Sequence, residues 1–375
     1  MAAGYIFKMD RADSIADCFK LGRYETALNA KWSNATDGTF ADYLGMSPGD
    51  NVYFFSKRRI YGIGRLIKNK PVYLCHRTAS VPSSNACLPR RNAEENVRIS
   101  RWGCAFEPAP FFFKRGIDMD DALQSAPTVF NMLRAFWKVS FIKIDDFENQ
   151  ALKDALLYCN NDILPGTPPI DKIFVRDDAD FDHFLKSRKR VLRTLDPRPF
   201  FDWARDGEHY RRESALECNL IWDLTSRRSA QANAIFGHWD YVNHQVIASP
   251  FKPIDYMDRM DLFGYEYING FAPTILKYKV CELKKGVAGE EDLLQCMKYV
   301  EWIRDKYAHG DYSKIQAFLV AADFILPDRW QKSVERNYVS GLRDVKTDCW
   351  RSLSLVEYKY DASLRQAIYK IRDEE

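Results

Sequence analysis

The chain contains no run of eighteen apolar residues, which excludes a helix through a membrane. Its nine cysteines, at positions 18, 75, 87, 104, 159, 218, 281, 296 and 349, form no Cys-x-x-Cys pair and no cluster with histidine. A zinc ribbon or finger is therefore not expected, and an odd count without paired spacing reads as reduced thiols in a cytoplasmic protein. The opening MAAGYIFKMDRADSIADCF lacks a basic start followed by an apolar stretch, so no secretory signal is expected there. Internal repeats and low-complexity tracts are absent as well. An excess of one charge is also missing: 55 Lys and Arg face 52 Asp and Glu, a net +3. Residues 1–160 hold 22 basic against 17 acidic side chains (+5), and the remainder 33 against 35 (−2). Neither part is a polycation, so nucleic-acid affinity would have to come from local patches.

What is present is globular: 46% hydrophobic and 29% charged residues, with 24 Phe, 20 Tyr and 9 Trp for cores and stacking surfaces. A length of 375 residues exceeds what one core usually serves, so two domains are expected. The clearest punctuation is Asn160-Asn161-Asp162-Ile163-Leu164-Pro165-Gly166-Thr167-Pro168-Pro169. It divides the chain into residues 1–160, a linker with a basic helix over 161–204, and residues 205–375.

Before this boundary the pattern favours short strands in a small barrel with few helices. Asn51–Phe55 follows the turn signal Pro48-Gly49-Asp50 and is rich in β-formers. A basic turn, Ser56-Lys57-Arg58-Arg59, leads to Ile60–Ile67, and the two read as a hairpin. Gly62 and Gly64 fit a tight bend or a close ligand. Trp137–Ile144 alternates as a further strand, with a helix over Asp146–Tyr158. Beyond the boundary, Phe181–Leu195 reads as a helix with Lys186, Arg188, Lys189, Arg190 and Arg193 on one side, expected either to lie along a DNA backbone or to form a solvated face. Helices over Arg212–Leu224 and Glu290–Lys306 accompany strands near Val242–Ala248, Arg259–Phe263, Thr274–Leu283 and Ile315–Val320. Mixed strands flanked by helices indicate an α/β domain, and the whole is expected to be a multidomain α+β protein.

Three segments of the second half carry chemistry. Glu282 and Lys284 stand two apart on a strand, so both side chains leave one face while Cys281 and Leu283 take the other. Asp261, on a neighbouring strand, would bring its carboxylate beside Glu282. Two convergent carboxylates suit Mg²⁺ or Mn²⁺, which lowers the pKa of a bound water and polarises a phosphate. Lys284 would stabilise developing charge. Gln295 and Tyr299, four apart on a helix, share a face from which polar tips reach the same cluster, with Leu294, Met297 and Ile303 packing inward. A lone Glu-x-Lys on a strand is common; the order of all three segments is what points to catalysis.

These segments, Arg259-Met260-Asp261, Glu282-Leu283-Lys284 and Gln295-Cys296-Met297-Lys298-Tyr299, resemble the PD-(D/E)XK nuclease superfamily in its RecB-type and NucS-like branch. The resemblance covers roughly residues 205–325 and implies a restriction-endonuclease-like domain with a mixed central sheet. It also implies a metal shell of Asp261, Glu282 and an upstream helical Glu, for which Glu217 is the best match. Met260 stands where the family name has proline. The resemblance makes Asp261, Glu282, Lys284, Gln295 and Tyr299 catalytic, with Arg259 near the nucleic acid.

Residues 1–160 resemble PUA-like domains of the EVE and ASCH type, on Lys31-Trp32-Ser33-Asn34, Gly49–Phe55 and Ile60–Gly64. Such barrels commonly bind nucleic acid, and some hold a flipped, modified base. Trp32, Tyr43, Phe55 and Trp102 would then wall the pocket and Asn34, Ser56 or Asp50 would read the base edge, while Lys57, Arg58 and Arg59 would sit on phosphates. The same aromatics would equally serve as barrel core. Together the resemblances imply a modification-dependent DNA endonuclease of restriction or anti-phage defence; cutting both strands needs two sites, so a homodimer is expected. The alternatives are a structure-selective repair nuclease for mismatches, flaps or ends, and an inactive nuclease fold that only binds.

Overall fold

The computed structural model describes the chain apart from residues 1, 10–11, 28–33, 68–71, 77–100, 110–114, 137–138, 162–189, 227–228, 250–251, 254–255, 341–345 and 373–375. It forms two compact units, Met1–Pro199 and Phe200–Glu375. The first therefore runs well past the Asn160–Pro169 stretch expected to bound it. Among the described residues no helix is long and apolar enough to cross a membrane.

The first unit contains β1 (Gly4–Lys8), α1 (Ala12–Leu21), β2 (Arg23–Ala27), α2 (Asn34–Leu44), β3 (Asn51–Ser56), β4 (Arg59–Leu66) and β5 (Val72–His76). There follow β6 (Arg101–Pro108), β7 (Ile117–Asp118), α3 (Met119–Ser125), β8 (Phe141–Ile144), α4 (Asp146–Asn160) and β9 (Arg190–Thr194). One sheet takes the order β8-β1-β3-β4-β6-β5-β9, with β2 on β6 and β7 on β4. The pair β1–β3 is parallel and the others are antiparallel. The basic helix expected to run to Leu195 is corrected here: Arg190-Val191-Leu192-Arg193-Thr194 pairs with β5 as a strand, its backbone groups satisfied in the ladder.

Alternation along the strands gives this sheet two apolar faces. On one, Phe7, Tyr43, Phe54, Trp102 and Phe141 are buried among aromatic neighbours, with Tyr43 5.2 Å from Phe141 and Trp102 4.9 Å from Phe40. On the other, Tyr53, Ile60, Ile142 and Ile144 pack with Phe130, Leu133, Leu152 and Leu156 of the covering segments. Gly62 and Gly64 are the places where Tyr53 and Phe106 press onto the backbone; a Cβ there would stand 2.6 and 2.7 Å from those rings.

The division falls in the first turn of α5 (Arg198–Ala204), and the second unit continues with β10 (Arg205–Asp206), β11 (His209–Tyr210), α6 (Glu213–Ser226) and α7 (Ala230–Phe236). Next come β12 (Tyr241–Ile247), β13 (Arg259–Tyr267), β14 (Ile275–Leu283), β15 (Val287–Ala288), α8 (Glu290–Lys306), β16 (Ile315–Ala321), β17 (Asp323–Phe324) and α9 (Trp330–Val334). The chain finishes with β18 (Arg336–Ser340), β19 (Lys346–Trp350), β20 (Leu353–Asp361) and β21 (Gln366–Ile371). The central sheet is mixed, ordered β12-β13-β14-β16-β20-β21. Strands β12, β13 and β14 form an antiparallel meander; β14, β16 and β20 are parallel; β21 returns antiparallel. The parallel step β14–β16 requires a crossover, which α8 supplies while packing on both strands.

A buried polar knot ties α6 to the far strand. Asn219 accepts from Tyr210 Oη (2.8 Å) and the Ala367 N–H (2.9 Å), and donates to Asp223 Oδ2 (2.7 Å) and Tyr369 Oη (3.1 Å). All four side chains are buried, and the knot fixes the helix that carries Glu217 one half-turn earlier.

A candidate metal site on the central sheet

Asp261 lies one step beyond the last paired residues of β13 and β14, Leu262 and Cys281, which places it across from Glu282. Its Oδ2 accepts the Leu283 N–H at 2.8 Å, so the strand that carries Glu282 also fixes Asp261. Glu282 is buried, and its Oε1 accepts from Lys284 Nζ at 2.8 Å, the same-face contact expected two residues apart. Its Oε2 is buried and has no hydrogen-bond partner among the described residues.

From α6, Glu217 enters the same space. Its Oε1 lies 2.7 Å from His244 Nδ1, and its Oε2 accepts from Gln245 Nε2 at 2.8 Å. Gln245 Nε2 also reaches Asp261 Oδ1 at 3.2 Å, so one amide bridges two carboxylates. Lys284 lies 3.7 Å from Asp292, whose other oxygen accepts the Gly289 N–H at the start of α8.

The electrostatics follow from crowding carboxylates into a poorly hydrated space. Burial, more than Lys284 can offset, pushes Glu282 up to about 7. Asp261 is raised well above the usual carboxylate range by burial and then by the charges of Glu282 and Glu217. Burial also raises Glu213, one turn before Glu217, against the opposing pull of Lys284. Burial alone would lower Lys284, but its hydrogen bond and charge interaction with Glu282 reverse the sign and hold it above the ordinary lysine value.

Gln295 donates to Tyr299 Oη at 3.1 Å across one helical turn, which confirms the shared face. Tyr299 is buried, and burial, followed by the charges of Glu282 and Asp261, lifts it to about 12. Leu294 was expected to pack inward but is 51% exposed; Leu293 takes the buried position with Met297 and Ile303. Arg259 is half-buried at the start of β13.

Among the described residues no three His, Cys, Asp or Glu side chains already converge as a metal cluster. The protein's own donors engage the carboxylates instead: His244 and Gln245 on Glu217, Gln245 and Leu283 on Asp261, and Lys284 on Glu282. The carboxylates outnumber Lys284, the space is short of positive charge, and the Glu282 Oε2, unpartnered among the described residues, is a hard oxygen with capacity to spare. The chemistry fits a divalent cation. Sequence reasoning missed His244, Gln245, Glu213 and Asp292. The four-residue spacing of Glu213 and Glu217 was a visible signal; a strand read as regular hid the other pair.

In the first unit the described aromatics expected to wall a pocket do not share one face. Tyr43 and Trp102 are fully buried on one face of the sheet, whereas Phe55 packs on the opposite face, 4.9 Å from Phe136. Strand alternation separates them. Trp32 lies outside the described residues, as does the side chain of Asn34. Lys57, Arg58 and Arg59 form an exposed turn, with Arg58 paired to Asp120 at 2.6 Å and Arg59 donating to the Gly116 carbonyl at 3.0 Å. Lys186, Arg188 and Lys189 lie outside the described residues; Arg190 and Arg193 belong to β9.

No family model matches this chain, and no curated protein matches it. Among solved structures it is similar to a hypothetical protein from Leishmania major: 13% identity, 44% of this chain and 97% of the other, TM-score 0.28. It is likewise similar to a Pseudomonas putida protein: 18% identity, 41% and 100% coverage, TM-score 0.28. A third is the YTH domain of the Zygosaccharomyces rouxii MRB1 protein in complex with N6-methyladenosine RNA: 9% identity, 42% and 88% coverage, TM-score 0.25. Likeness at this level assigns neither a fold family nor a ligand to this chain.

Proposed function

We propose that the second unit is a Mg²⁺- or Mn²⁺-dependent nuclease of the PD-(D/E)XK type, and that the first is a PUA-like reader that selects base-modified DNA. The observation that carries the reading is the buried Glu282 Oε2, unpartnered among the described residues, with Asp261 of the adjoining β13 and Lys284 just past the end of β14 on either side. Glu217, Asp261 and Glu282 would hold the cation. When bound, that cation supplies Lewis-acid polarisation of a phosphate and a more acidic water. Lys284, held protonated by Glu282, offers a fixed positive charge to a phosphate oxygen as negative charge develops there. Tyr299 stays protonated, so with Gln295 it can orient a phosphate or water by hydrogen bonding without adding charge.

The test is cleavage of modified and unmodified phage DNA by the full chain with Mg²⁺. Selective cutting of the modified DNA is expected, and cutting both equally or neither would overturn the proposal. Asp261→Asn or Lys284→Ala should slow cleavage by about a hundredfold or more while the fold persists. Undiminished metal-dependent cleavage by the Asp261 variant would overturn the site assignment.

A further inference from the structure

Two consecutive residues of β12, His244 and Gln245, both reach Glu217. In a regular strand neighbouring side chains face opposite sides, so one of them should point away. The backbone at Gln245 is left-handed, with φ of 51°. The ladder pairs His244 with Leu262 and Val246 with Met260, and it skips the residues between, Gln245 and Asp261. Non-glycine residues seldom adopt this conformation, and such strain gathers at functional sites. Here the local twist turns the Gln245 side chain inward and sets Nε2 between Glu217 and Asp261.

An amide is ambident. Its N–H groups satisfy two carboxylates that otherwise repel; turned over about its last torsion, the same group presents Oε1, an uncharged hard oxygen. Beside this pair the buried Glu282 Oε2, on a residue only 1% exposed, has no donor among the described residues. An orphaned carboxylate oxygen next to two bridged carboxylates marks a place for positive charge that the protein's own donors leave partly unfilled.

We propose that Gln245 is a two-state member of the cation site. Its amide N–H groups clamp Glu217 to Asp261 when no cation is bound, and its Oε1 turns in as a ligand when a divalent cation occupies the space between them. This rests on reading the carboxylates as a metal site. It accounts for glutamine at the position: Glu would add a fourth negative charge to the empty site, and Lys would bring no oxygen.

The experiment is Mn²⁺ titration of the full chain by calorimetry and by electron paramagnetic resonance of the free ion, with thermal melting in parallel. Gln245→Gly, comfortable at this backbone angle, should melt as a folded protein and bind Mn²⁺ about tenfold more weakly. Gln245→Glu should melt lower than wild type without metal, and Mn²⁺ should raise its Tm by more than it raises that of wild type. Mn²⁺ binding by the Gly variant as tight as or tighter than wild type would reduce Gln245 to a plug and overturn this role. Asp261→Asn is the control for the underlying reading: no Mn²⁺ binding by wild type, or none lost in that variant, would overturn the metal site itself.

Discussion

Replacing Glu282 by Gln should make the metal-free protein more stable above pH 7 and leave it nearly unchanged at pH 4. Glu282 is held near 7 in the folded chain, against an ordinary 4.5, because burial costs its charged form more than Lys284 returns. A raised carboxyl contributes stability that is fully present below 4.5, where folded and unfolded chains both hold the proton. As pH rises the unfolded chain ionises first, and the contribution is lost between 4.5 and about 7. The difference corresponds to about 3 kcal/mol. Gln keeps the shape and an acceptor for Lys284 but carries no charge, so it escapes that loss. Asp261 shares the benefit, since the charge of Glu282 is one cause of its own raised value. The assay is urea unfolding in EDTA at pH 4 and pH 8 for both proteins. A pH-independent gap, or a variant less stable than wild type at pH 8, would refute the argument that an unneutralised carboxylate strains this core.

Other expectations follow from single features. Lys57 and Arg58 make the two-residue β3–β4 turn with φ of 49° and 64°, a conformation that favours Asn-Gly. Changing Lys57→Asn together with Arg58→Gly should raise stability by about 1 kcal/mol, since the exposed Arg58–Asp120 pair contributes little. If the turn contacts phosphates, the same change should reduce the salt slope of nucleic-acid binding by about two; an unchanged slope would remove the turn from the interface. Asn219→Ala leaves Asp223, Tyr210 and Tyr369 without their shared partner and should cost about 3 kcal/mol in urea unfolding. A loss below about 1 kcal/mol would mean that the knot contributes little to anchoring α6.

The sequence by itself determined the elements whose period is unambiguous. Glu290–Lys306 reads as a helix and is one end to end, and Ala317–Ala321 is as buried as its apolar run implies. The Glu282–Lys284 contact follows from period two alone, and the Gln295–Tyr299 bond from a single helical turn. These are local rules, and they hold because each depends on residues a few places apart. The tertiary structure decided the rest. Arg190–Thr194 carries helix-compatible side chains but finds β5 to pair with, more than a hundred residues earlier in the sequence. Phe55 and Trp102 look interchangeable as pocket walls until the sheet assigns them opposite faces. Gln245 sits in a polar run, Asn243-His244-Gln245, between apolar residues of β12, and only the carboxylates brought from α6 and β13 give its left-handed turn a purpose. Convergence of charge is a property of long-range packing: Glu217, Asp261 and Glu282 are ordinary carboxylates along the chain, and become a site when burial in one space raises the last two and leaves an oxygen without a partner.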